Sequence, residues 1–126
     1  MKTPVWISKS VALAMHEELL AEHGGLSGIR DEALLDSALA RPQNVFSYGK
    51  ADLFTLAAAY IGGVVRNHPF IDGNKRTAFV VGGIFLEQNG KILTAPEKEA
   101  TEFMLAFADS KISEEDFALW LKKNSE

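Results

Sequence analysis

Apolar residues recur along most of the chain with the spacing of an α-helix, whereas the alternation typical of β-strands is almost absent. In the first such stretch Val11, Met15 and Leu19 follow one another at intervals of four residues, which places them on one face of a helix. His16 and His23 lie on or beside this helix without a partner acid or a metal-ligand spacing. We interpret both as surface or capping histidines.

Capping and stop residues divide the rest of the chain into further helices. Asp31 is a typical cap for a short second helix, and Pro42 is expected to end it because proline lacks the N–H that a helix interior needs. The polar residues 43–50 then predict an exposed loop or hairpin, a small flap between the second and third helices. Asp52 caps a third helix, Leu53–Asn67, which is apolar nearly all round and is therefore expected at the centre. Three more helices are predicted: one up to Asn89, one from Pro96 and one from Ser113.

Two glycine pairs, at residues 62–63 and 82–83, lie inside the third and fourth helices. Each glycine weakens a helix by about 1 kcal/mol relative to alanine. Close approach of the two backbones would compensate, so we expect these helices to cross with their glycines facing. The loop 68–74 between them is then clamped in place, with Phe70 pointing inward as its anchor.

The composition agrees with one globular domain. The chain has 126 residues, of which 47% are hydrophobic and 24% charged, and these values are not those of a disordered or fibrous protein. A chain of this length is large enough for one hydrophobic core. We therefore predict a single all-α domain over residues 1–126, a bundle of about six helices with a small flap.

Charge and residue usage disfavour several functional classes. The net charge of −4 and the pI of 5.4 argue against direct binding of nucleic acid, which favours a basic surface. There is no cysteine, so disulfides and thiolate metal sites are excluded. The longest uncharged apolar run, residues 53–65, is shorter than the ~18–20 residues of a membrane span. Without a signal-peptide pattern either, the chain is expected to be cytoplasmic and free of membrane contact.

The most informative stretch is the loop His68 to Asn74, which leads directly into a buried helix. A helix N-terminus presents unpaired backbone N–H groups and the positive end of the helix dipole, and both favour a bound anion. Lys75 and Arg76 put two cations in the first turn, where the dipole disfavours them. These cations are explained if a strongly anionic group, such as a phosphate, binds between them.

The residues around this helix start are candidates for phosphate binding. Gly73, Asn74 and Lys75 are expected to bind phosphate oxygens through backbone N–H groups and the lysine ammonium group. Arg76 would complete the site. Arg66, two residues before the loop, is a weaker candidate for a phosphate contact.

Two further residues fit the chemistry of phosphoryl transfer. Asp72 suits a Mg²⁺ ion that bridges phosphate oxygens, and His68 suits a general base that accepts a hydroxyl proton. The same spacing also fits an ordinary turn between helices, in which Asp72 or Asn74 caps the next helix and the cations are solvated.

This stretch resembles the signature of the Fic/Doc family, whose general pattern is His-x-Phe-x-(Asp/Glu)-Gly-Asn-(Gly/Lys)-Arg. The matching positions are His68, Phe70, Asp72, Gly73, Asn74, Lys75 and Arg76. Residues 23–31 and 39–42 are similar to the N-terminal part of the death-on-curing (Doc) branch of the family. The resemblance implies a Fic-like helical fold and a Doc-type activity.

The sequence departs from the Fic pattern at two positions. Fic nucleotidyltransferases carry a second glycine and a second arginine where this chain has Lys75 and Phe79. The difference counts against adenylyl transfer. The resemblance to Doc implies instead a kinase that uses ATP and Mg²⁺ to phosphorylate a serine or threonine hydroxyl of a translation factor.

The resemblance also implies a biological setting. The protein would be the toxin of a bacterial type II toxin–antitoxin system, with elongation factor Tu as its substrate and a Phd-like antitoxin whose helical segment binds a groove. The flap at residues 43–50 would pair with an extended piece of the target by strand addition. Two alternatives are a Fic-type protein adenylyltransferase and a non-catalytic adaptor that binds a nucleotide or a peptide.

Overall fold

The computed structural model describes residues 2–126, in which six α-helices follow one another. Their bounds are α1 Lys9–His23, α2 Glu32–Ser47, α3 Leu53–Asn67, α4 Asn74–Gln88, α5 Glu97–Ala108 and α6 Glu114–Lys123. The extended structure within this range consists of two isolated bridges, Ile29 with Phe70 and Leu93 with Ser125. The predicted all-α, Fic-like bundle is therefore confirmed.

Helix α3 is the central element, as its apolar sequence predicts. Every residue from Leu56 to Val64 is buried, and the helix packs against α2, α4 and α6. The run of small residues Ala57 to Ala59 lets neighbouring helices approach closely. None of the helices within residues 2–126 is long and apolar enough to cross a bilayer.

Side-chain caps start four of the helices, and three of these caps are at positions that the sequence predicts. In each case an oxygen of the cap accepts a hydrogen bond from a backbone N–H three residues ahead. The caps are Ser8 for α1, Asp31 for α2, Asp52 for α3 and Ser113 for α6.

The prediction that Pro42 ends the second helix is wrong. Helix α2 continues through Pro42 to Ser47, and the proline ring is buried. Proline removes the hydrogen bond to the carbonyl four residues earlier, which belongs to Ala38. That part of α2 lies against Gly63 of α3, so closely that an added Cβ there would be 3.2 Å from the Ala38 oxygen. Packing against the central helix therefore outweighs the loss of one bond.

The expected flap at residues 43–50 is also wrong, for the same reason. Residues 43–47 form the last turn of α2, and residues 48–52 alone connect it to α3. No extended strand in residues 43–50 offers an edge to a peptide. Strand addition at this position is not supported.

The two glycine pairs do not face each other. An added Cβ at Gly63 would meet Ala38 of α2, whereas one at Gly62 would meet Glu114 of α6. Gly82 lies against α3, where its Cβ would meet the side chain of Ile61 at 2.6 Å. Gly83 has open space around it. Close approach is confirmed at Gly62, Gly63 and Gly82, each against a different neighbour, but not at Gly83.

Candidate active site

The loop between α3 and α4 is bounded by two residues in the left-handed conformation. His68 ends α3 with φ 49° and ψ 55°, and Gly73 precedes α4 with φ 77°. Glycine adopts this region freely. For a non-glycine residue it costs free energy, and such residues cluster at functional sites where neighbours hold them. The His68 side chain is exposed.

A segment between α1 and α2 holds the first half of the loop. Arg30 donates from Nε to the His68 carbonyl at 2.7 Å and from its second terminal nitrogen to the Asn67 carbonyl at 2.8 Å. The backbone N–H groups of Arg30 and Asp31 donate to the Pro69 carbonyl at 2.7 and 3.1 Å. The segment therefore satisfies the carbonyls that the end of α3 leaves free. Arg30 could not be identified from the sequence, because nothing local connects it to a loop 38 residues away.

Asn74 closes the second half of the loop. Its side chain is buried, accepts a hydrogen bond from the Phe70 N–H at 3.0 Å and donates one to the Phe70 carbonyl at 3.0 Å. The alternative in which Asn74 caps α4 is wrong, because the helix begins at Asn74 and has no side-chain cap. The amide group instead satisfies both backbone groups of the buried anchor residue.

Phe70 points inward, as predicted, and packs against a residue that the sequence analysis assigned wrongly. Its ring is fully buried and stacks on the imidazole of His16, with centroids 3.8 Å apart. His16 is 2% exposed, so the interpretation of a surface histidine is incorrect. The signal for burial was its spacing of four residues from Ala12, the other buried residue of α1. His23, at the end of α1, is exposed as expected.

Asp72 is exposed and its carboxylate is fixed by two backbone donors. One oxygen accepts from the Leu26 N–H at 3.1 Å and the other from the Gly73 N–H at 2.9 Å. The bond from Leu26 and then that from Gly73 hold the pKa of Asp72 below its ordinary value, and the charge of Arg76 adds to the effect. The carboxylate is therefore ionised at neutral pH.

The start of α4 is free to bind an anion. Within residues 2–126 the backbone N–H groups of Asn74, Lys75 and Arg76 have no acceptor, and no side chain caps the helix. The side chains of Lys75 and Arg76 are exposed and form no ion pair in this part of the chain. Three donors, two cations and the helix dipole thus converge on one position.

This helix start opens into a cavity of about 1020 Å³. The predicted site residues that line the cavity are His68, Asp72, Gly73, Asn74, Lys75 and Arg76. The rest of the lining is largely apolar, and its largest share comes from α5, through Ala100, Thr101, Met104, Leu105 and Ala108. A polar end with an apolar wall is typical of a site for a ligand that carries both phosphate and a flat organic group.

Residues 6–86, which include this loop and the helices on either side of it, match the model of the Fic/DOC family. The chain belongs to the Fic/DOC family. It is 34% identical over 93 residues to "Protein kinase doc" of Escherichia phage P1, an alignment that covers 72% of this chain and 74% of that protein. It is also 45% identical over 76 residues to "Toxin Doc" of Mycolicibacterium smegmatis, covering 57% of each chain. The resemblance to the Doc branch is confirmed.

One predicted residue lies outside the site of this Fic/DOC protein. Arg66 donates to an oxygen of Glu114 at 3.0 Å, and its guanidinium group lies 5.7 Å from the ring centre of Phe107. Arg41 donates to both oxygens of the same carboxylate. Arg66 does not line the cavity, so its part here is to join α3 to α6.

The oxygen ligands at the Fic/DOC loop fit a magnesium ion that is held mainly by the phosphates of a bound substrate. Residues 2–126 contain no group of three or more histidine, aspartate or glutamate side chains that could hold a metal by themselves. Asp72 is ionised, and each of its oxygens accepts one hydrogen bond and keeps a free lone pair. Mg²⁺ commonly binds proteins through one or two carboxylates together with substrate phosphates, so Asp72 is a suitable ligand.

Proposed function

We propose that this protein is a protein kinase that transfers the terminal phosphoryl group of ATP to a serine or threonine hydroxyl of another protein. The observation that carries the proposal is the unsatisfied start of α4, where three free N–H groups, Lys75 and Arg76 adjoin His68 and Asp72 at one end of a cavity. Phosphoryl transfer requires mainly positioning and charge stabilisation. The name of the phage relative, a protein kinase, supports the same reaction.

Each residue then has a defined part in the transfer. The N–H groups of Asn74 and Lys75, with the two side-chain cations, bind the oxygens of the γ-phosphate. His68 accepts the proton of the attacking hydroxyl while the new O–P bond forms. The bond from the γ-phosphorus to the β–γ bridging oxygen breaks, and ADP leaves with that oxygen. Asp72 would hold Mg²⁺, which neutralises charge on the phosphate oxygens when it is bound.

Two cavity residues favour phosphoryl over adenylyl transfer. Lys75 and Phe79, which replace the second glycine and second arginine of the Fic pattern, both line the cavity. Lys75 adds a side chain where the α-phosphate of an adenylyl donor would lie, and Phe79 offers no charge to its distal phosphates. We infer that ATP binds in the reverse direction, with its γ-phosphate at the start of α4.

The proposed biological function is that of a toxin, in agreement with the name of the mycobacterial relative. The substrate that we propose is elongation factor Tu, whose phosphorylation would arrest translation and growth. No stretch of the sequence matches the inhibitory pattern (Ser/Thr)-x-x-x-Glu-(Gly/Asn); the nearest, Ser110 to Glu115, fails at its last position. We therefore propose inhibition in trans by a Phd-like antitoxin, through a disordered segment that folds to a helix in a groove.

Labelled ATP tests the reaction directly. The purified protein is incubated with Mg²⁺, elongation factor Tu and ATP that carries the label on either the γ- or the α-phosphorus. We expect label from the γ-position only, a mass gain of one phosphate on the target and release of ADP. The matched control is His68→Ala, which should remain folded and lose ~10²–10⁴ of the rate, the usual contribution of a general base.

Other outcomes would assign a different function. Transfer from the α-position with release of pyrophosphate would overturn the kinase and indicate a Fic-type adenylyltransferase. Binding of ATP without any transfer to elongation factor Tu or to proteins of a cell extract would indicate a non-catalytic adaptor. An His68→Ala protein with the full rate would remove the general-base assignment.

A further inference from the structure

His16 is a buried polar side chain that has no part in the chemistry proposed above. It lies on the inner face of α1, 56 residues before the loop residue that it contacts, and its ring is covered on one side by Phe70. Burial of an imidazole is unfavourable unless its nitrogens find partners. A buried histidine at this position is therefore expected to make a specific hydrogen bond.

The contact of His16 is with the backbone of the catalytic loop. Its Nε2 lies 2.8 Å from the carbonyl oxygen of Asp72. A carbonyl oxygen only accepts hydrogen bonds, so Nε2 carries the proton and donates. The same nitrogen would lie 3.7 Å from a Cβ added at Gly73, so the imidazole lies close to both residues of the Asp72–Gly73 peptide bond.

The orientation of this peptide bond sets how the chain enters α4, because Gly73 is the residue directly before the helix. Gly73 adopts the left-handed conformation and, as a glycine, also has other conformations within easy reach. A flip of the peptide plane would reverse both the Asp72 carbonyl and the Gly73 N–H. The N–H holds one oxygen of the Asp72 carboxylate at 2.9 Å, so a flip would also release that carboxylate.

We propose that His16 is a positioning residue that locks the Asp72–Gly73 peptide and thereby holds the Asp72 carboxylate and the free N–H groups of α4 in their reactive arrangement. The peptide unit is then held at both ends, by His16 at its oxygen and by the Asp72 side chain at its nitrogen. The expected effect of His16 on the reaction rate rests on the proposed phosphoryl transfer. The hydrogen bond that fixes the Asp72–Gly73 peptide does not, because it belongs to the fold.

Two substitutions separate the hydrogen bond from the packing. His16→Phe keeps a flat ring against Phe70 and removes the donor. His16→Gln keeps a side-chain N–H donor and gives up the aromatic stack. If the hydrogen bond to the Asp72 carbonyl is needed for catalysis, kcat should fall ~10–100-fold in the phenylalanine variant, since small misplacements of reacting groups have effects of this size. The glutamine variant should recover part of the lost kcat. The KM for the protein substrate should stay within about twofold, because His16 does not line the cavity.

A second readout does not need the reaction. The chain has three histidines, so in a His68→Ala background only His16 and His23 contribute imidazole signals to a ¹⁵N NMR spectrum. We expect His16 to carry its proton on Nε2 and the Gly73 amide to exchange slowly. In the His68→Ala, His16→Phe protein the Gly73 amide should shift and exchange at least tenfold faster.

The outcomes distinguish this proposal from the proposed function. A His16 ring protonated on Nδ1 alone, or a Gly73 amide unchanged in the phenylalanine variant, would overturn the lock whatever the reaction is. A His16→Phe enzyme with the wild-type kcat would overturn its role in positioning. Absence of γ-phosphoryl transfer by the wild-type protein, with the NMR signature intact, would overturn the kinase and leave the lock standing.

Discussion

At the scale of residues, the loop divides its side chains between support and chemistry. The side chains of Phe70 and Asn74 are buried, and the Asn74 amide bonds the backbone N–H and carbonyl of Phe70, so these two side chains hold the loop. His68, Lys75 and Arg76 are exposed and point toward the cavity end, where a ligand can reach them. The family motif therefore contains both kinds of residue, and its asparagine belongs to the supporting kind.

Substitution of Asn74 by aspartate tests this division. The new carboxylate can still accept from the Phe70 N–H, but it cannot donate to the Phe70 carbonyl, which would lose its partner in a buried place. An unsatisfied buried acceptor costs about 1–3 kcal/mol. We expect the free energy of unfolding, measured by urea titration, to fall by this amount and the phosphoryl-transfer rate to fall with it.

The control for this change is the same substitution at an exposed asparagine. Asn44→Asp lies on the surface of α2 and should change the free energy of unfolding by less than about 0.5 kcal/mol. Equal stabilities for the two variants would show that the Asn74 amide does not hold the loop.

The sequence indicated the exposed residues of the loop and its inward anchor Phe70, but not the residues outside the loop that support it. His68, Asp72 and Gly73 follow one another within a few positions, so local spacing together with the resemblance to the family motif indicates a common site. His16 and Arg30 reach the loop from α1 and from the segment before α2. Their partners are backbone carbonyls, which leave no trace in the pattern of side chains.

At the scale of elements, small residues set how closely the helices pack. Gly63 of α3 approaches α2 so closely that an added Cβ would lie 3.2 Å from both the Cα and the carbonyl oxygen of Ala38. Gly83 of α4 has nothing within 4 Å of the same position. The two glycines are therefore required to different degrees, although both lie inside helices.

Alanine substitutions at these two glycines should shift stability in opposite directions. Alanine favours the helix by about 1 kcal/mol over glycine, so Gly83→Ala should stabilise the protein by roughly that amount. Gly63→Ala gains the same preference but pushes a methyl group against the backbone of α2, which cannot rotate away, and should destabilise it by about 1–3 kcal/mol. Urea unfolding of both variants measures the difference, and a stabilised Gly63→Ala protein would contradict the close contact.

Helix starts were predictable from caps and from Pro96, whereas the helix end predicted at Pro42 was wrong. Asp31, Asp52 and Ser113 each accept a hydrogen bond from a backbone N–H within their own turn, so the cause is local and visible in the sequence. Pro42 failed as a stop signal because its effect is decided by packing against α3, which the local sequence does not show. Because α2 continues past Pro42 to Ser47, the flap predicted at residues 43–50 does not form.

At the scale of the whole molecule, the two ends of α4 have separate tasks. Its first residues form the candidate site, whereas Asn89, just past its end, accepts from the Val5 N–H and donates to the Val5 carbonyl. Fifteen residues at 1.5 Å each place these ends about 22 Å apart. Near the second end, Ile92 pairs with Glu126, so the first and last described segments meet there. Substitutions that remove these contacts should alter stability without changing the rate of the proposed reaction.

The pH dependence of stability tests another contact of the N-terminal segment, which joins Ile7 to Tyr60 of α3. Its buried hydroxyl oxygen accepts a hydrogen bond from the Ile7 N–H at 2.9 Å. Burial raises the pKa of Tyr60 above its ordinary value, and the bond from Ile7 offsets part of that rise. A tyrosine in the unfolded chain titrates near ~10. Above this pH the unfolded state releases a proton that the folded state retains, so the stabilisation is complete below pH ~10 and is lost as pH rises toward the folded value.

Tyr60→Phe removes this titration together with the bond to Ile7. At pH 7 the variant should melt at a lower temperature than the wild type, because the buried Ile7 N–H loses its acceptor, at a cost of about 1–3 kcal/mol. Between pH 9 and 11 the Tm of the wild type should fall more steeply, so that the two curves converge. Circular dichroism melts across this range give the comparison.

Tyr48→Phe is the matched control, because that side chain is 92% exposed and meets water in both states. Its curve of Tm against pH should run parallel to that of the wild type. A Tyr60→Phe curve that is also parallel would show that the buried hydroxyl does not link alkaline pH to unfolding.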